Sequence, residues 1–199
     1  MEKRSINFEL RAKPESRTIF GTATVFNSPY DMGWYDEEMS AEALKDSDLK
    51  DVVALFNHDM NMVLARTSSG TLKLNVTDSA MEYEFDAPNT TLGNDLLEMV
   101  KRGDVYQSSF AFTVEAEDWQ ERMGNKPKRV IRSIKKVYDV SPVTYPANPD
   151  TMVAKRSYDA TKKIDEDLLK VIDISVKSEI NIQNELRRNA LHLLNLKTK

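Results

Sequence analysis

Apolar and polar residues alternate one by one in segment after segment of the first half of this chain, and that period of two limits its fold more than any other feature. Ile6-Asn7-Phe8-Glu9-Leu10, Thr71-Leu72-Lys73-Leu74-Asn75-Val76 and Met81-Glu82-Tyr83-Glu84-Phe85 all follow it. Successive strand side chains point to opposite faces, so strict alternation predicts one wet and one buried face, as in an antiparallel sheet or barrel. Thr18 to Phe26 adds a strand that ends in the turn residues Asn27-Ser28-Pro29-Tyr30. Asp51 to Asn57 reads as a buried strand that stops just before His58, and Arg129 to Lys135 alternates into a strand that carries Asp139. Trp119 to Lys128, with Gly124-Asn125-Lys126-Pro127 inside it, reads as a polar hairpin or loop.

Helical patterns interrupt the strands. Asp36 to Lys45 looks like a short acidic helix. Residues 89–101 carry a clearer signal: Asn89 or Thr90 can cap, Leu92, Leu96, Leu97, Met99 and Val100 form an apolar face, and Gly103 stops the helix. From about Ser157 the character changes. Thr161 through Leu196 has no Gly or Pro and places Ile164, Leu168, Ile172, Val176, Ile180, Leu186, Ala190 and Leu193 at mostly three- and four-residue intervals. A continuous helix there would extend roughly 50 Å, although Gln183, Ile174 and Ile182 break the stripe and favour two helices with a bend.

Within this β-rich frame lies a set of residues suited to acyl transfer. Gly103-Asp104-Val105-Tyr106-Gln107-Ser108-Ser109-Phe110-Ala111-Phe112-Thr113-Val114 puts hydroxyls in a buried strand. In Asn57-His58-Asp59 the histidine stands 51 residues before Ser109, and Tyr138-Asp139-Val140-Ser141-Pro142-Val143 carries a carboxylate 30 residues after it at Asp139. A serine hydroxyl is a poor nucleophile until a neighbouring base takes its proton, and histidine suits that task at neutral pH. Ser109 shares a strand face with Ala111 and Thr113, whereas Ser108 faces with Phe110 and Phe112, a poor place for a nucleophile. Either Asp139 or Asp59 can supply the acid.

Composition removes other chemistries. The chain has 199 residues, no cysteine and two histidines, which excludes disulfides and thiolate nucleophiles and makes a metal centre improbable; no cofactor is expected. Its six glycines stand singly, so there is no glycine loop of the kind that cradles phosphate. A net charge of -4 gives no basic footprint for nucleic acid. Glu9, Arg11 and Lys13 interrupt any signal-peptide run, and no stretch nears the ~20 apolar residues of a membrane span. A soluble protein made in the cytoplasm is expected.

Several motifs, in order, resemble the prohead maturation proteases of tailed phages, distant relatives of the herpesvirus assemblins. They are Gly21-Thr22-Ala23-Thr24-Val25-Phe26-Asn27; Phe56-Asn57-His58-Asp59 with Leu64-Ala65-Arg66; Arg102-Gly103-Asp104 leading to Ser109-Phe110-Ala111-Phe112; and Asp139 through Asn148. The match covers roughly residues 5–150. Ala111 stands where the family usually has Gly, and Asp139 where Glu is commoner.

The resemblance implies an α+β fold, mainly an antiparallel β-barrel of the assemblin type, with flanking helices and a C-terminal helical extension. Residues 1–156 would be the protease domain and 157–199 an extension for assembly, scaffold or dimer contact. It implies His58, Ser109 and Asp139 as base, nucleophile and orienting acid, and residues around Val130 to Ser133 as a source of oxyanion donors. The implied activity is a serine endopeptidase inside the immature capsid in the host cytoplasm. Its substrates would be scaffold protein and the N-terminal extension of the major capsid protein, with self-cleavage, and self-association through the C-terminal helices. Neither nucleic acid nor membrane is an expected partner. The terminal helix either docks or dimerises, or packs its stripe on the barrel; His192 within it reads as structural or exposed. The rival reading is a catalytically inactive assembly or scaffolding factor on the same fold, and a second is a generic β-barrel binding module.

Overall fold

The computed structural model describes residues 1–6, 10–145, 154–170 and 172, with Ser5 and Ile6 described by backbone alone. Two compact units emerge, Met1–Thr151 and Met152–Lys199.

The first unit holds eleven strands and one helix among its described residues. In chain order they are β1 (Glu2–Ile6), β2 (Leu10–Ala12), β3 (Thr18–Val25), β4 (Tyr30–Asp31), β5 (Asp36–Met39), β6 (Val53–Leu55), β7 (Val63–Arg66), β8 (Leu72–Val76), β9 (Ala80–Asp86), α1 (Thr91–Arg102), β10 (Gln107–Gln120) and β11 (Lys128–Val143). One sheet runs β1-β10-β11-β5-β4, with β6 also on β11 and β7 on β6; the other runs β2-β3-β9-β8. The fold is therefore α+β and mostly strand. The sheets are not closed into a barrel.

The spine of the larger sheet is β11. Its whole length pairs antiparallel with β10, while its other edge takes two short parallel partners, β5 at Lys128 to Ile131 and β6 at Asp139 and Val140. Alternation along β9 (buried Met81, Tyr83, Phe85) and β3 (buried Ile19, Ala23) faces the common core, to which Phe110, Phe112, Ile134, Val137 and Val140 also belong. Phe110 and Phe112 stack with centroids 4.5 Å apart, and each ring taken wholly out of water contributes roughly 2–3 kcal/mol.

Helix α1 forms as its sequence predicts. The Thr90 hydroxyl accepts from the Gly93 amide at 3.1 Å, which caps the first turn, and Leu96, Leu97 and Val100 are buried. Gly103 ends it at φ 83°, a left-handed position that costs a side chain dearly. The chain then enters β10 within four residues.

Two expectations need correction or limits. Asp36 to Lys45 is not a helix: Asp36–Met39 is strand β5, and residues 41–46 are turns. Glu37 and Met39 point inward from it, and the buried Glu37 carboxylate is neutralised by Arg4 and Arg129, partners invisible in a local acidic run. The Ile6 to Leu10 alternation falls mostly outside the described residues, which show only that β1 ends at Ile6 and β2 starts at Leu10. In the second unit, residues 154–170 are helical, labelled α2 here, with Ile164, Leu168 and Leu169 exposed. The remainder of the 161–196 stripe, His192 included, lies outside the described residues apart from Ile172, also helical and exposed.

Candidate active site

The register of the β10–β11 hairpin brings two of the three predicted side chains to one face. Ser109 pairs with Ser141 and Ala111 with Asp139, and opposite partners and residues two apart share a face. Irregularities begin immediately beyond, between Ala111 and Phe112, where a bulge increases local twist.

His58 reaches that face because β6 lies parallel to β11, with Val53 beside Asp139 and Ala54 beside Val140. Two and three residues after β6 ends, Asn57 and His58 both adopt left-handed backbone, at φ 55° and 57°. That conformation costs roughly 1 kcal/mol or more at a histidine, and contacts to the end of β11 offset it. The Asn57 amide donates to the Pro142 carbonyl at 3.0 Å. The Asn57 side chain accepts from the Thr144 amide at 2.9 Å and donates to the Thr144 hydroxyl at 3.2 Å.

The imidazole is held at both nitrogens. Nδ1 lies 2.6 Å from Asp139 Oδ1 and Nε2 lies 2.7 Å from Ser109 Oγ. A carboxylate only accepts, so Nδ1 carries the proton and, in the neutral ring, Nε2 is free to accept. The same Asp139 oxygen accepts from Ser141 Oγ at 2.7 Å. Asp139 is 5% exposed and Ser109 0%, which keeps these contacts largely out of competition with water. The arrangement can take a proton from a hydroxyl and stabilise the cation that results.

The other sequence candidates lie elsewhere in function. Asp59 Oδ1 accepts from the Asn61 amide and side chain at 2.9 and 3.0 Å, which closes a turn, so it is Asp139 whose carboxylate meets the ring. Ser108 Oγ, on the opposite face, bonds to Tyr83 Oη at 2.9 Å. Burial pushes the Tyr83 phenol well above its ordinary pKa, so it stays a neutral partner. The oxyanion expectation for Val130 to Ser133 fails on geometry: Val130 and Ile131 are committed to β10 on one edge and β5 on the other. Ser133 is eight residues from Ser141 along β11, about 25 Å of strand. Two contributors were missed as such. Ser141 and Asn57 stood inside the quoted motifs, but their hydrogen bonds depend on pairings between distant segments.

Among the described residues, no group of three or more His, Asp or Glu is placed to hold a metal, and no helix is long and apolar enough to cross a membrane.

Comparison with known proteins adds an independent line. No curated protein and no solved structure matches the chain. The family model described as caudovirus prohead serine protease matches residues 6–164, four-fifths of the sequence. The chain belongs to the caudovirus prohead serine protease family.

Proposed function

We propose that this protein is a serine endopeptidase of phage prohead maturation in which Ser109 is the nucleophile, His58 the general base and acid, and Asp139 the orienting carboxylate. The observation that carries the reading is the unbroken contact from Asp139 through His58 to Ser109, at 2.6 and 2.7 Å, in a member of this family. Ser109 Oγ attacks a peptide carbonyl carbon as its proton passes to His58 Nε2, and Asp139 stabilises the imidazolium. The tetrahedral species collapses, the C–N bond breaks, and the departing amine takes the proton from Nε2. Water then repeats the sequence on the acyl-enzyme and restores the serine.

The substrates we propose are the scaffold protein and the N-terminal extension of the major capsid protein, together with the chain itself. Action takes place within the procapsid in the host cytoplasm, where confinement at high local concentration substitutes for intrinsic affinity. Residues 1–156 would carry the chemistry on the two-sheet α+β fold. Residues 157–199 would carry assembly contacts, for which the exposed Ile164, Leu168 and Ile172 offer an apolar surface.

Coexpression with the capsid and scaffold proteins of its phage, followed by mass spectrometry of the assembled products, tests this. Trimmed capsid protein and degraded scaffold are expected with the wild-type chain and intact forms with Ser109→Ala. Equal trimming in both, or none in either, would contradict it.

A further inference from the structure

The edge of β10 that does not face β11 is occupied by β1, with Ser5 opposite Ser109 and Arg4 opposite Phe110. Ser109 Oγ lies within donating distance of the Arg4 main-chain oxygen, at 2.9 Å. The carbonyl that the hydroxyl meets is therefore that of the Arg4–Ser5 peptide.

The Arg4 side chain, meanwhile, fills a closed pocket. Its Nε and Nη2 fork onto the two oxygens of Glu37, the second at 2.8 Å, and its guanidinium stands 5.7 Å over the Phe112 ring. Nη2 also meets Glu2. Glu37 is 0% exposed and accepts further from Tyr30 Oη at 2.7 Å and Arg129 Nη1 at 2.8 Å. Burial opposes its ionisation, but the hydrogen bond and charge of Arg4 and the charge of Arg129 outweigh that and hold it below the ordinary carboxylate pKa. Glu37 comes from β5, so this carboxylate belongs to neither β1 nor β10 and stays in place when β1 departs.

An extended segment that pairs with a sheet edge, sets one carbonyl against a hydroxyl and inserts the preceding side chain into a complementary pocket is docked as a peptide substrate docks. We propose that β1 is an intramolecular stand-in for the substrate strand, that it must leave β10 before Ser109 meets another peptide, and that Glu37 selects an arginine immediately before the bond attacked. This rests on the serine-endopeptidase reading above. The stand-in survives because Ser109 has a single hydroxyl proton. That proton is shared between His58 Nε2 and the Arg4 oxygen, and Oγ approaches the oxygen of the carbonyl instead of its carbon, so the contact is not an attack geometry. Planar, bidentate pairing with a carboxylate distinguishes arginine from lysine as the favoured occupant.

The chain has no cysteine, so Lys3→Cys with Ala111→Cys, at cross-strand partner positions, creates a single disulfide that clamps β1 onto β10. Labelling of Ser109 by a fluorophosphonate is then timed in the oxidised and reduced forms of that one protein. A second protein lacks residues 2–6 and is labelled with and without a peptide of residues 1–8, or the same peptide with Arg4→Glu. The expected results are at least tenfold slower labelling when oxidised, at least tenfold faster labelling after the deletion than in the full chain, and slowing by the native peptide alone. Equal rates for oxidised and reduced protein, or equal slowing by the two peptides, would overturn the inference while leaving the serine reading intact. Absence of label at Ser109 in every form, the reduced and deleted ones included, would overturn both.

Discussion

His58 is fixed at each end by a partner from β10 or β11, at 2.6 Å from Asp139 and 2.7 Å from Ser109, and its backbone is bent into the left-handed region to get there. A histidine so held has one tautomer available when neutral. Replacing Asp139 by Asn keeps the shape but offers a donor to Nδ1, so the ring turns its proton toward Ser109 and loses its capacity to accept. Turnover of a peptide substrate is expected to fall by about four orders of magnitude with little change in KM. Ser141→Ala removes one hydrogen bond to the same carboxylate oxygen, worth roughly 1.5 kcal/mol, and is expected to lower kcat about tenfold. Steady-state kinetics of the two variants checks both. At this scale the sequence was legible in its chemistry, since a hydroxyl, an imidazole and a carboxylate are recognisable by type and order. The choice of Asp139 over Asp59 was not, because it depends on β6 lying beside β11 and on Asp59 being engaged with Asn61.

Helix α1 and the ion cluster show why elements differ in how well they can be read. The helix is written locally: Thr90, the Leu96, Leu97 and Val100 face, and Gly103 lie within fourteen consecutive residues. Thr90→Ala is expected to cost about 1 kcal/mol in chemical denaturation, with activity retained by the folded protein. Strand β5 is written across the chain, because Glu37, the buried member of its acidic run, is neutralised by Arg4 of β1 and Arg129 of β11, while Asp36 and Glu38 pair with Arg122 and Lys128. Arg129 bonds Glu2 at 2.9 Å and Glu37 at 2.8 Å and stands 5.9 Å over Trp119. For Glu2 as for Glu37, burial raises the pKa, but the arginine contacts prevail and hold it below the ordinary 4.5. As acid is added, the unfolded chain takes up these protons before the folded chain does. The stability the cluster confers is therefore complete above about pH 5.5 and is lost as pH falls below 4.5 toward the depressed folded values. Arg129→Met is expected to lower stability by about 3–5 kcal/mol at neutral pH, since it strands a buried carboxylate, and by much less at pH 3. Urea titration at the two pH values checks the difference.

At the scale of the fold, one long strand positions the three side chains of the proposed site. β11 carries Asp139 and Ser141, aligns β10 so that Ser109 faces them, receives β6 so that His58 arrives from above, and receives β5 so that Glu37 can hold β1. Period-two patterning announced the strands, but a sheet's closure depends on which edges pair. The alternation admits a sheet or a barrel, the barrel being what the resemblance implies, and two open sheets sharing a core satisfy it. The claim on which all of this rests is that Ser109 is activated by His58. It is tested by treating the folded protein with a fluorophosphonate to end point and mapping the adduct by peptide mass spectrometry. A single adduct on Ser109, absent in Ser109→Ala and formed at least a hundredfold more slowly in His58→Ala, is the expected result; an adduct on another residue, or the same rate without His58, would contradict it.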